Sequence, residues 1–126
     1  MNASLIVFLG GGLGGVLRHL INTWISRMMG PEFPAGILAI NVVGSSAMGL
    51  LVGWFAFQGH APQELRLFLT TGNLGGFTTF SAFSLDAALL YERGQPWLAA
   101  AYVAASVLLS IGGLFAALWG MRIWSS

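Results

Sequence analysis

The chain has 126 residues, 56% of them hydrophobic and 7% charged, with a mean hydropathy of +0.80. Soluble domains average about 25% charged residues, so this composition describes an integral membrane protein, and its length suffices for a single domain. A formal net charge of +1 without a basic patch excludes a nucleic-acid partner, and the lack of cysteine excludes disulfides, thiolate metal sites and thiol catalysis.

Four apolar segments follow one another, at about residues 5–25, 35–57, 65–90 and 97–122, each near the roughly 20 residues that a bilayer core requires. The expected fold is an all-α integral membrane protein, one four-helix transmembrane domain over residues 1–126. The start, Met1-Asn2-Ala3-Ser4, lacks the basic residues of a signal peptide, so the first segment is expected to be a retained span. In that segment Gly10/Gly14 and Gly11/Gly15 form two overlapping small-xxx-small pairs, which let another helix approach at backbone distance. Arg18 follows within the span. A mid-span arginine costs on the order of 2.5–3.5 kcal/mol on insertion scales, so it should face protein or water, or snorkel toward the loop.

Prolines at 31 and 34 close the first span. In the second, Ser45, Gly49 and Gly53 recur every four residues as a smooth stripe for helix contact. Asn41 is its one strongly polar side chain. It either glues helices together by a hydrogen bond or presents its NH2 group to a passing anion. Neither His19 nor His60 has a second ligand at metal-binding spacing, so neither is assigned to a metal.

The third segment is written unlike an ordinary buried helix. Gly72-Asn73-Leu74-Gly75-Gly76-Phe77-Thr78-Thr79 gathers three glycines and two β-branched residues, all poor helix formers. A break at membrane depth frees backbone N–H and C=O groups that protein, water or ions must satisfy, so a broken helix there usually lines a site. The bland alternative is a lipid-facing helix with glycines for close packing. Phe80 and Phe83, three apart, share one face beyond the break. Asp86 lies about a turn from the next loop, near the membrane face expected for Arg18, so a pair between them is conceivable.

In the fourth segment Tyr102, Ser106 and Ser110 fall at i, i+4 and i+8 and align three hydroxyls as a polar track. The competing expectation is that each serine bonds back to the preceding turn. Trp97, Trp119 and Trp124 mark membrane interfaces.

Four spans place both termini on one side, with Arg66 and Arg122, while Arg27 and Arg93 lie on the other. The positive-inside rule is therefore balanced, and a chain without a preferred orientation can insert both ways. Two oppositely inserted copies can pair about an axis in the membrane plane.

With these residues in place, the chain resembles the Fluc (CrcB) fluoride channel family over essentially its whole length. The matching parts are Gly14 and Arg18 in Gly-x-x-x-Arg, Asn41, the run Gly75-Gly76-Phe77-Thr78-Thr79-Phe80-Ser81-Ala82-Phe83-Ser84, and Tyr102/Ser106/Ser110. The resemblance implies an antiparallel dual-topology homodimer in a prokaryotic inner membrane, passing fluoride passively through two pores. It implies a pathway of Asn41, Phe80, Phe83, Ser81, Tyr102, Ser106 and Ser110, with Arg18 and Asp86 in structural or electrostatic roles. It also implies a central structural sodium ion held by the backbone carbonyls of Gly75 and Thr78 from both subunits. The chain departs from the usual family pattern at Ile37 and Ala82, where a threonine is usual, and at Asp86, where glutamate is frequent.

Fluoride suits such a path. A small, strongly hydrated anion needs hydrogen-bond donors to replace lost water, and aromatic ring edges carry partial positive charge. Two rival readings are a small proton-coupled multidrug exporter and a non-transporting assembly subunit. The exporter needs an acid in the first span, where this chain has Arg18. An enzyme is not expected, since no nucleophile–base pair or metal-ligand cluster is visible.

Overall fold

The computed structural model describes residues 2–57 and 61–125, so His60 lies outside the described residues. Helix α1 spans Ala3–Met29, opened by Asn2, whose side chain accepts from the Ser4 N–H. It runs a turn beyond the expected end because its stop is Gly30, at φ 84°, whose N–H closes on the Ser26 carbonyl at 2.9 Å. A glycine at positive φ, a conformation closed to most other residues, followed by proline ends the helix. Helix α2 spans Ala35–Phe57, the limits read from the sequence.

The third segment is built in pieces. A short α3, Gln63–Leu67, passes into a π-helical stretch, Phe68–Leu74, and then one α-helical turn, α4, Gly75–Phe77. Thr78 and Thr79 are extended, and α5 begins at Phe80 and ends at Glu92. Helix α6 runs Pro96–Ser125, longer at both ends than expected. Helices α1, α2 and α6 are long and apolar enough to cross a membrane. Neither half of the broken segment reaches the roughly 20 residues required alone.

Close glycine contacts set the packing. An added Cβ on Gly10 would meet the backbone of Phe68 and Asn73, one on Gly14 the Asn73 carbonyl, and one on Gly76 the backbone of Gly11. These contacts advance in step along both elements, so α1 and the first half of the broken segment run the same way. The same holds for α2 and α6, where Gly49 lies against Leu114 and Ala117, and Gly53 against Met121. Gly10, Gly11 and Gly14 of α1 and two members of the α2 stripe are thus helix contacts, as their spacing indicated, whereas a Cβ on Gly15 would meet only the Arg18 side chain of its own helix. The third member, Ser45, instead faces a cavity.

The order of contacts gives an up-down-up-down chain. The Arg66 and Arg122 guanidiniums sit over Phe55 and Phe57 at the C-terminal end of α2, while Arg93 reaches Pro31 at the other. The even division of arginines between the two faces therefore holds in the fold. A core of Ile37, Ile40, Phe77, Phe83, Leu90, Ala99 and Tyr102 joins α2, the broken segment and α6. Side chains such as Phe8, Trp97 and Leu108 point outward, as lipid-facing residues do.

Candidate functional site

The site grows out of the break at Thr78–Thr79. In an unbroken helix the Thr79 N–H would close on the Gly75 carbonyl. Here it donates to Asn41 Oδ1 at 2.8 Å, and Asn41 Nδ2 donates back to the Thr79 carbonyl at 3.0 Å. The Ala82 N–H, due to the Thr78 carbonyl, goes to Thr79 Oγ1 at 3.2 Å, which makes Thr79 the N-cap of α5. The Arg18 guanidinium takes up the slack, donating to the Gly76 carbonyl at 2.7 Å and approaching the Thr78 carbonyl at 3.4 Å. Backbone groups that would be costly at membrane depth are thus met by two side chains from α1 and α2 and one from the break itself.

This settles where Arg18 goes. It does not snorkel, and among the described residues it does not pair with Asp86; Asp86 Oδ2 accepts from the Tyr102 hydroxyl at 3.4 Å. Asn41 is helix glue with one N–H of its amide engaged. The second N–H has no partner among the described residues.

A cavity of about 260 Å³ adjoins the break, lined by Asn41, Ser45, Thr78, Thr79, Phe80, Phe83, Ser106 and Ser110, with Val107 and Ile111. No acid or base lines it. Its hydroxyls are met in different ways, Thr79 Oγ1 by the Ala82 N–H. Thr78, like Ser46, Thr70 and Ser84 elsewhere, bonds back to the carbonyl four residues earlier. Ser106 and Ser110 do not: each Oγ is buried without a hydrogen-bond partner among the described residues. A buried unsatisfied hydroxyl costs about 1–3 kcal/mol, so two of them in one cavity call for a ligand or water.

Aromatic rings form the wall. Phe83 is buried, Phe80 is 76% exposed, and their centroids lie 5.4 Å apart. Phe83 packs on Tyr102 at 5.3 Å, and Tyr102 meets Phe33 edge-on at 5.6 Å. Five sequence-predicted residues, Asn41, Phe80, Phe83, Ser106 and Ser110, therefore line one space, with Tyr102 directly behind it. Ser81 does not line it; its hydroxyl lies 3.3 Å from that of Thr79. Because α5 starts at Phe80, the positive end of its dipole lies at the rim.

Two contributors escaped the sequence reading. Ser45 was read only as a packing residue, and Thr79 only as a poor helix former. A Ser/Thr three residues before an N–H at a helix start is a capping signal, and it was present at Thr79 and Ala82. Among the described residues no group of His, Asp or Glu could hold a metal. An ion bound here would rely on backbone oxygens, of which the Gly75 and Thr78 carbonyls have lost their helical donors to Asn41 and Thr79.

A bundle of apolar helices, one broken beside an open cavity that holds two unpartnered hydroxyls, defines a multi-pass membrane protein. Residues 5–121 match the family model described as CrcB-like protein, Camphor Resistance (CrcB), and the chain belongs to this family. A relative from Rhodopseudomonas palustris, named a fluoride-specific ion channel, is 64% identical over 90% of this chain and 92% of its own. A relative of the same name from Methylobacterium nodulans is 59% identical over 94% of this chain and 95% of its own. One from Cereibacter sphaeroides, again so named, is 54% identical over 98% of each. The bacterial relatives and the apolar helices place the chain in the bacterial inner membrane, in a family of channels rather than enzymes.

Proposed function

We propose that this protein is a passive fluoride channel. The observation that carries the reading is the pair of buried, unpartnered hydroxyls, Ser106 and Ser110, in a cavity shared with Asn41, Phe80 and Phe83. Their O–H groups and the second Asn41 N–H offer donors to an anion in transit. The ring edges of Phe80 and Phe83 add weak positive potential without a fixed charge that would trap the ion. Tyr102 fixes the Phe83 ring, and Ser81 acts through its contact with the Thr79 hydroxyl. Arg18 holds the break open from behind by occupying the Gly76 carbonyl.

The working unit is an antiparallel dual-topology homodimer with two pores. The balanced arginines support it, and so does Phe80, a cavity-lining residue exposed in the single chain and therefore available to be covered by a second copy. The Gly75 and Thr78 carbonyls of both copies would hold a structural sodium ion. Neutral oxygens stripped of their helical partners suit a hard monovalent cation better than a transition metal. Such an ion would supply a fixed positive charge to the Gly75 carbonyl and to the Thr78 carbonyl, which Arg18 only approaches at 3.4 Å.

The test is anion efflux from liposomes containing the purified protein, fluoride against chloride. Fluoride efflux without chloride leak is expected. Equal leak of both anions, or none of either, overturns the reading.

A further inference from the structure

Two polar side chains stand on the outer surface of the bundle, inside its apolar spans. His19 lies in α1, and Thr71 in the π-helical stretch. Both are exposed, and neither side chain forms a hydrogen bond among the described residues. The neighbouring Thr70 bonds back to the Arg66 carbonyl at 2.6 Å, so the stretch permits such a bond and Thr71 does not make it. A titratable side chain within a span is rare and pairs with another polar group, because lipid tails offer it no partner.

The two residues share one flank of the bundle. Gly10 and Gly14 of α1 face Gly72, Asn73 and Phe77 of the broken segment. On α1, Gly15 is one residue forward of Gly14, and His19 is one turn beyond Gly15. On the broken segment, Thr71 and Gly75 are one residue back from Gly72 and Gly76. The two elements run the same way, so a step forward on one and a step back on the other turn to the same side. Their heights correspond as well. A Cβ on Gly14 would meet the Asn73 carbonyl and the Phe77 nitrogen, and one on Gly10 the Phe68 carbonyl and the Asn73 nitrogen. Gly75 is thus level with Gly14, and Thr71 with Gly10. At 1.5 Å per residue, His19 lies about 7 Å to one side of Gly75 and Thr71 about 6 Å to the other.

We propose that His19 and Thr71 form an intersubunit pair, in which His19 of one copy hydrogen-bonds Thr71 of an inverted second copy, twice per dimer. The inference rests on the inverted-dimer reading above, and adds to it the flank that is covered and the residues that fix its register. A two-fold axis in the membrane plane at the level of Gly75 carries His19 of one copy to the height of Thr71 in the other. Imidazole and hydroxyl can each donate and accept, so either order of donor and acceptor closes the bond. A second copy inserted in the same direction would set His19 against His19 and leave Thr71 at another height.

The experiment is oxidative cross-linking in liposomes. The chain has no cysteine, so introduced thiols report on their own surroundings. Within one copy, residues 19 and 71 are about 13 Å apart in height, and like residues of two inverted copies are about 12–14 Å apart. A disulfide needs Cα atoms within about 7 Å, so only the cross pair can close. The double variant His19→Cys/Thr71→Cys is expected to give at least about ten-fold more covalent dimer than either single variant. Co-expressed single variants are expected to cross-link to each other. Should the cysteine variants fail to fold, dimer dissociation on dilution, read by light scattering in detergent, takes their place. His19→Leu or Thr71→Val is expected to raise the dissociation constant about eight-fold, roughly three-fold for each of the two pairs, and the double variant no further. A double-cysteine variant that is dimeric by light scattering yet does not cross-link overturns the inference. So do single variants that cross-link as strongly as the double, or additive losses for His19→Leu and Thr71→Val. An unmodified chain that is monomeric at the same concentration overturns the dimer reading, and the inference with it.

Discussion

Asn41 and Thr79 exchange two hydrogen bonds across the gap between α2 and the broken segment, at 2.8 Å and 3.0 Å. The carboxamide behaves as a piece of backbone, supplying the acceptor that the Thr79 N–H lost and a donor to its carbonyl. One residue of α2 thereby stabilises an extended conformation at Thr79, φ −151° and ψ 121°, inside what would otherwise be a helix.

This exchange predicts an order of damage at Asn41. Asn41→Ser retains a hydroxyl that can donate and accept, though it is shorter. Asn41→Asp keeps an acceptor for the Thr79 N–H but turns the Thr79 carbonyl contact into repulsion and puts an anion in the cavity proposed to pass fluoride. Aspartate should be the worse of the two in efflux, and it should lose about 1–3 kcal/mol of stability for the unmet buried carbonyl. Comparable flux from both variants would show that the amide donor is not used.

Ser106 and Ser110 permit a cleaner separation of function from stability. Neither hydroxyl has a protein partner, so Ser106→Ala and Ser110→Ala remove an unsatisfied group and should change unfolding stability by less than about 0.5 kcal/mol, or raise it. Each should nonetheless lower fluoride flux. Ser46→Ala serves as the contrast, since that hydroxyl bonds the Val42 carbonyl at 2.8 Å and lies outside the cavity lining. Full flux in the double Ser106/Ser110 alanine variant would show that the hydroxyls merely tolerate burial.

The two phenylalanines should separate in stability and agree in function. Phe80 is 76% exposed and Phe83 only 7%, so Phe80→Ile should leave the fold intact in detergent while Phe83→Ile loses its packing on Tyr102. The loss at Phe83 is about 1–3 kcal/mol, the range for an imperfect shape change in a packed core. Both substitutions remove a polarised ring edge, so both should reduce fluoride efflux. Normal efflux in both would mean that the rings only pack.

What could be read in the sequence and what could not divide along physical lines. The second span was legible to the residue because glycine, proline and apolar runs act locally at Ala35 and Phe57. Asn41, Phe80, Phe83, Ser106 and Ser110 were legible because polar or aromatic residues stand out against an apolar helix and fall on its period. The role of Arg18 was not. Its contact with the Gly76 carbonyl joins residues 58 apart in sequence, and no periodicity encodes such a pairing. The π-helical stretch at Phe68–Leu74 was equally hidden: Thr70, Thr71 and Gly72 mark weak helix there, but the wider turn depends on how Gly72 seats against Gly10.

Gly75 is one of the residues whose carbonyl would hold the proposed sodium ion. Glycine is not required at this position by the single chain. Its backbone is ordinary right-handed helix, φ −62° and ψ −38°, and an added Cβ would meet only the Thr70 carbonyl, at 3.5 Å. Gly14 and Gly76 differ, because a Cβ there would collide with backbone of the same chain. If Gly75 lies on a dimer axis with its carbonyl on a shared ion, a methyl group would press on the second copy or on the ion shell. Gly75→Ala should therefore keep the helical content of the purified protein while losing fluoride flux. A cation that binds only the dimer stabilises it by about 2.7 kcal/mol at a hundred times its dissociation constant. Dimer dissociation should accordingly be slower in sodium than in choline medium, and Gly75→Ala should abolish that difference. Because the proposed ligands are backbone oxygens, Thr78→Ser should retain it. The measurement is the dimer fraction against dilution in each medium, by light scattering in detergent. An unmodified dimer equally stable with and without sodium, or a Gly75→Ala protein with full flux, would remove the ion from this position.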